Sequence, residues 1–149
     1  MAPKIKRHSR SRIGKPRSEA YLDTSALIAF LDKSDSYHAL FKRLFASPPP
    51  LVTSPLVIAE GHGWFLRRYD RNRAAQFLAF IAILPALTVH TLDAAELSKA
   101  RQILSKFGDQ DLTLADAHGL AIMRDRRSEI CWSTDRHLGL TGAKLAIKA

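Results

Sequence analysis

A chain of 149 residues, 46% hydrophobic and 25% charged, has the composition of one globular domain and can bury roughly two-thirds of its unfolded surface. No apolar run approaches the ~20 residues of a membrane-spanning helix, the start lacks the apolar segment of a secretory signal, and the single cysteine, Cys131, has no partner within the chain. A cytoplasmic protein with no membrane contact is expected.

The net charge of +9 is concentrated at the start. Residues 1–18 hold seven of the 23 basic residues (Lys4, Lys6, Arg7, Arg10, Arg12, Lys15, Arg17) and none of the 14 acids, leaving the rest of the chain at only +2. This tail has almost nothing to bury, so the entropy of ordering it would go unrepaid and disorder is expected there. It suits a polyanion, with Lys6, Arg7, Arg10 and Arg12 as candidate RNA contacts. A solvated extension explains it equally well.

From residue 19 to 149 the pattern predicts a single domain. AYLD (20–23) is a strand, followed by Thr24 or Ser25 capping a helix over SALIAFLD. SYHALFKRLFAS (36–47) is a second helix, ended by the prolines at 48–50. LVTS (51–54) is a second strand, and Pro55 sits where the first turn of a helix tolerates proline. That helix is expected to reach WFLRRYD, and Asn72 can cap the next, over 73–83. After Pro85 comes a third strand near 86–91, and DAAE (93–96) is a capping box opening a helix through Lys106. A loop around Gly108 leads to a helix over 112–125, a strand over 129–134 and a last strand over 143–147.

Strands alternating with helices predict an α/β fold, a mostly parallel sheet with helices on both faces. Right-handed crossovers bring the C-terminal strand ends to one edge, where ligands bind beside the point at which strand order reverses. Asp23 and Asp135 close the first strand and the strand over 129–134, and Glu60 lies in the second turn of the helix after the second strand. Asp116 opens a helix whose preceding loop must return to the same edge. Four carboxylates are therefore expected to converge.

Two of them interrupt apolar stripes. Leu56, Glu60 and Trp64 are spaced by four residues, as are Leu112, Asp116 and Leu120, and an unpaired acid on such a stripe is costly. Each acid also has a purely structural explanation: Asp116 in a TLAD capping box, Glu60 in an arginine pair, Asp23 and Asp135 as caps of the following turns. Singly these suffice; jointly they leave the convergence unexplained. Clustered carboxylates repel unless a cation neutralises them. With no histidine pair at metal spacing, oxygen ligands point to a hard ion, Mg2+ or Mn2+, which can activate water for attack on a phosphodiester. That chemistry is a nuclease's.

At these residues a family resemblance emerges. YLDTSALIAFLD resembles the first motif of PIN domains, VIAEGHGWFLRR the helix with the second acid, LTLADAHGLAIM the third and STDRHLGLTGAKL the fourth, in order over residues 20 to about 147. The size resembles the single-domain toxins of VapBC toxin–antitoxin modules. The resemblance implies a PIN-like, Rossmann-like three-layer sandwich with about five parallel strands, a metal-dependent endoribonuclease acting on RNA, a homodimer and a cognate antitoxin partner. It makes Asp23, Glu60, Asp116 and Asp135 the acidic quartet, with Asp23 and Asp116 foremost for metal contact and Thr24, Ser25, Ser133 and Thr134 as supporting hydroxyls. Two positions depart from the family pattern: Gly61 replaces a large aliphatic residue, and Ser133 stands in a threonine's place.

Arg136, beside Asp135, is a candidate phosphate contact. The arginines at helix ends, Arg67, Arg68, Arg71 and Arg73 with Arg124, Arg126 and Arg127, serve a solvated face or the helix dipole as readily as RNA. Trp64 and Trp132 suit packing better than base stacking, and His62, His118 and His137 suit local polar pairing. Two alternatives remain: a PIN-type RNA-processing nuclease, or a catalytically silent RNA-binding module, outside toxin–antitoxin biology.

Overall fold

A computed structural model describes residues 18–148, so the basic tail lies, but for Ser18, outside the described residues. Five short strands, β1 (Ala20–Leu22), β2 (Leu51–Thr53), β3 (Leu87–Val89), β4 (Ile130–Trp132) and β5 (Lys144–Leu145), form one sheet in the order β3-β2-β1-β4-β5. Every neighbouring pair is parallel. β1 is central and fully buried, as its unbroken apolar sequence requires.

Helices α1 (Thr24–Leu31) and α2 (His38–Ala46) link β1 to β2, and α3 (Pro55–Arg68) and α4 (Arg71–Ile83) link β2 to β3. Helices α5 (Ala94–Lys106) and α6 (Leu114–Arg126) then carry the chain back across the sheet to β4. The first two crossovers step one way along the sheet and the third steps the other, so right-handedness puts α1 to α4 on one face and α5 and α6 on the opposite one. Side chains follow this division. Trp132 meets Phe45 of α2 edge-on at 5.0 Å, and Phe45 contacts Phe30 of α1 and Phe80 of α4. Tyr21, on the alternate side of β1, reaches α6 at Gly119, where a Cβ would lie 2.7 Å from the Tyr21 hydroxyl oxygen. Gly119 is what lets α6 approach the sheet.

Gly61 has a similar explanation: a side chain there would collide with the Phe77 ring, which α4 presses against α3. The aromatic ring fills the space that an aliphatic residue at position 61 would otherwise take.

Two helix starts differ from the sequence expectation, and a third keeps its expected cap but not the closed box. Asp23, not Thr24 or Ser25, is the N-cap residue of α1, and its side chain makes no capping bond. Asp70 rather than Asn72 caps α4, accepting from Arg73 N at 2.8 Å. Asp93 does cap α5, accepting from Glu96 N at 2.9 Å, but the Glu96 carboxylate turns to His90 instead of closing the box. No helix among the described residues is long and apolar enough to cross a membrane.

Candidate active site

β1 and β4 are neighbours at the point where strand order reverses. Asp23 N donates to Trp132 O at 3.0 Å, carrying the ladder one bond past β1. Asp23 and Ser133 are thereby set side by side. Asp23 Oδ2 accepts from Ser25 Oγ and from Ser133 Oγ, each at 2.7 Å, with the two hydroxyl oxygens 3.1 Å apart. These hydroxyls accept in turn: Thr134 N donates to Ser25 Oγ and Asp135 N to Ser133 Oγ, both at 2.9 Å. The missing capping bond of Asp23 is thus accounted for, because its carboxylate is committed to the β4 loop. Ser133 performs a bridging role that needs only a hydroxyl, so serine suffices where the family pattern has threonine.

Asp135 Oδ1 accepts from His137 N at 3.0 Å and caps the short 3-10 turn Arg136–Gly139, pinned by the fully buried Leu138. Asp116 arrives from the other face. Thr113 Oγ1 accepts from Asp116 N at 3.1 Å and Asp116 Oδ2 accepts from Thr113 N at 3.0 Å, a closed capping box that fixes the carboxylate at the start of α6. Ligand-capable atoms of Asp116, Asp135 and His137 all lie within 4.8 Å of one another. Asp23 and Glu60 are not part of this tightest set but interact with it electrostatically.

The electrostatics tie all four acids together. Burial pushes the Asp23 carboxyl up; Ser133 and Ser25 hold it back, while Asp116 adds to the rise. Glu60 is raised first by partial burial, then by Asp23, Asp116 and Asp135. Thr24 pulls Glu60 the other way, although its buried hydroxyl makes no hydrogen bond of ordinary geometry. Among the described residues Asp23, Glu60 and Asp116 have no ion-pair partner, and Asp135 has only His137, with Nδ1 at 3.0 Å.

The structural explanations for the acids therefore divide. Asp116 and Asp135 do act as caps. Glu60 finds no arginine and Asp23 caps nothing through its side chain. Arg136 is exposed beside Asp135 and free of ion pairs among the described residues, whereas Arg73 is fixed over the Tyr69 ring at 4.4 Å and donates to Leu31 O. Trp132 is core and Trp64, half-buried, packs edge-on to Phe65. Lys6, Arg7, Arg10 and Arg12 lie outside the described residues. His137 pairs locally with Asp135, as its sequence position suggests, and the same turn also brings its ring beside Asp116, which the sequence does not reveal.

The fold is a three-layer α/β domain with a parallel sheet, whose switch point is lined by carboxylates without balancing lysine or arginine among the described residues. The sequence pattern of the PIN domain family matches residues 20–143, and the chain belongs to that family. It is VapC-like within it. It is 30% identical over 116 residues to Ribonuclease VapC26 of Mycobacterium tuberculosis, covering 77% of this chain and 85% of that one. It is 30% identical over 124 residues to the 23S rRNA-specific endonuclease VapC20 of the same organism, covering 82% and 93%. The crystal structure of VapC20, described as a sarcin–ricin-loop-cleaving toxin, superposes with a TM-score of 0.77 at 26% identity, over 85% of this chain and 97% of that one.

Proposed function

We propose that this chain is a divalent-metal-dependent endoribonuclease, the toxin of a toxin–antitoxin pair, working through Asp23, Glu60, Asp116 and Asp135. The observation that carries the reading is the meeting of acids from four separate segments, three of them with no ion-pair partner among the described residues. The donor set suits such an ion: clustered carboxylate oxygens beside an imidazole, with Asp116 and Asp23 both buried. When bound, Mg2+ or Mn2+ would acidify an attacking water and neutralise charge on the scissile phosphate.

The chain's own groups do the positioning. Ser25 and Ser133 hold the Asp23 carboxylate in one orientation through two hydroxyl donors. The Thr113 box does the same for Asp116, and the 3-10 turn does so for Asp135. Thr134 contributes its backbone N–H to Ser25. Thr24, at the start of α1, sets its hydroxyl against Glu60. Arg136, exposed next to Asp135, is the proposed contact for a substrate phosphate.

The substrate proposed is a structured RNA, with the sarcin–ricin loop of 23S rRNA first to be tried because VapC20 is named for it. A cognate antitoxin, a homodimer and a cytoplasmic location complete the proposal. The test is cleavage of a panel of structured RNAs by the purified chain and by Asp116→Asn, with Mg2+, Mn2+ or chelator. Metal-dependent cutting that the variant loses while keeping its circular dichroism is the expected result. Salt-sensitive RNA binding with no cutting under any metal would replace it with a silent binding module.

A further inference from the structure

We propose that His137 supplies an imidazole nitrogen to the same cation as Asp116 and Asp135, so that the site is a mixed oxygen–nitrogen one selecting Mn2+ over Mg2+. The inference rests on the metal-dependent reading above and specifies its ligand set. Three observations carry it. First, the potential ligand atoms of these three residues already lie within 4.8 Å of one another, whereas two ligands of one such ion, each about 2.1 Å from it, stand no more than about 4.2 Å apart. Only a small contraction is needed.

Second, the local fold aims the ring. Asp135 Oδ1 accepts from His137 N and also lies 3.0 Å from His137 Nδ1, so the turn bends the imidazole back over the carboxylate that starts it. Leu138, fully buried, anchors the turn, while His137 and Asp135 keep side-chain exposures of 28% and 35%, leaving an ion a path in. Third, the buried Thr24 hydroxyl, on a residue only 3% exposed, faces Glu60 without an ordinary hydrogen bond, and Glu60 in turn feels the charges of Asp116 and Asp135.

The other histidines near the acids are differently engaged. His118 is fully buried with Nδ1 on Ser54 Oγ at 2.6 Å, and His62 belongs to a surface groove with Leu66 and Leu78. His137 alone among the described histidines joins the acid set. Mg2+ demands near-ideal octahedral oxygen ligation, whereas a nitrogen donor favours transition ions and Mn2+ accepts both ligand types. An all-carboxylate site would leave the choice between the two to availability. The imidazole makes it a property of this chain.

The experiment uses the untagged full-length chain loaded with substoichiometric Mn2+. Three-pulse electron spin echo modulation should show a directly bound 14N nucleus in the parent and in His62→Gln, and lose it in His137→Gln. Calorimetric titration should show Mn2+ affinity falling about tenfold in His137→Gln, with Mg2+ affinity changed less than about threefold. Asp116→Asn separates the two levels of argument. Mn2+ bound in the parent and lost in Asp116→Asn, but with no 14N modulation, overturns the histidine ligand and leaves the metal site standing. Mn2+ binding unaffected by Asp116→Asn overturns the site reading itself, and the inference with it.

Discussion

Helix α6 carries Asp116 into one acid-bearing cluster and, two residues later, His118 into another, and the two are built on opposite terms. In the second cluster every carboxylate has nitrogen facing it. Glu96 Oε1 bonds His90 Nε2, and Glu96 Oε2 has Lys99 Nζ at 3.8 Å and His118 Nε2 at 4.0 Å. Asp125 has Lys99 Nζ at 2.8 Å and Arg124 Nε at 3.3 Å. Burial is not what distinguishes the clusters, since Glu96 and Asp116 are 8% and 9% exposed. Compensation is. A buried acid faced by the chain's own bases has its charge met from within, even where Glu96 Oε2 and His118 Nε2 at 4.0 Å form no hydrogen bond; one left unpaired is tolerable when something from outside brings the positive charge. Ser54, His118 and Glu96 even follow the order of a hydrolytic triad, but Ser54 and His118 are fully buried and no substrate can reach them. Ser54 instead accepts from Leu56 N at the start of α3, and His118 ties that end to α6, locking the helices that bear Glu60 and Asp116.

This contrast can be broken by mutation on either side. The largest expected effect is in the unpaired cluster: Asp116→Asn should lower single-turnover RNA cleavage by roughly 10³-fold or more, about 4 kcal/mol of transition-state stabilisation, with folding intact by circular dichroism. Next is the bridge at Ser133, which serves Asp23 and the Asp135 backbone at once. Ser133→Ala should weaken Mn2+ binding by about 10–100-fold in calorimetry, and Ser133→Thr should restore it. In the paired cluster the loss should fall on stability instead. His118→Ala removes one of the two partners of Ser54 Oγ and strips Glu96 of one of its facing nitrogens, costing about 2–4 kcal/mol as a lower urea midpoint at unchanged slope. The cleavage rate per folded molecule should stay within about threefold of the parent. A rate collapse at constant stability would mean that the two clusters are one.

The sequence disclosed the unpaired side far better than the paired one, for a physical reason. Asp23, Glu60, Asp116 and Asp135 each end a strand or interrupt an apolar stripe, so topology alone sends them to one edge. The partners of Glu96 leave no such trace. His90 lies in a loop, Lys99 on a helix face and His118 on the buried side of α6, and only packing of α5 on α6 brings them together. The DAAE run announced a capping box because its spacing is local, but a tertiary partner, His90, took the glutamate away. The sequence suggests local polar pairing for His137, and it does pair with Asp135, but nothing in the spacing shows that the 3-10 turn also folds the ring back within 4.8 Å of Asp116. Caps fall one or two residues from the expected positions, and β4 ends before Ser133 because that hydroxyl bonds Asp23.

The smallest effect is in the pH dependence of the metal-free chain, and it has opposite signs in the two clusters. Asp23 sits above its ordinary value because burial outweighs the Ser133 and Ser25 hydrogen bonds, and Glu60 is shifted the same way, burial again leading. An acid raised in the folded state holds its proton more tightly there than in the unfolded chain. Lowering the pH from neutral toward the carboxylate range therefore adds stability from these two. Asp125 behaves in reverse: its hydrogen bond from Lys99 keeps it below the usual range, so its contribution is present above the unfolded value and is lost as pH falls through the folded one. In chelator the melting temperature should consequently rise as the pH drops below neutral and then fall in stronger acid. Asp23→Asn should flatten the rising limb, and saturating Mn2+ should do the same in the parent, because the cation then supplies the compensation that protonation supplies without it. A limb that persists in Mn2+ would mean that the ion binds elsewhere, and the unpaired acids would have to owe their tolerance to something other than a metal.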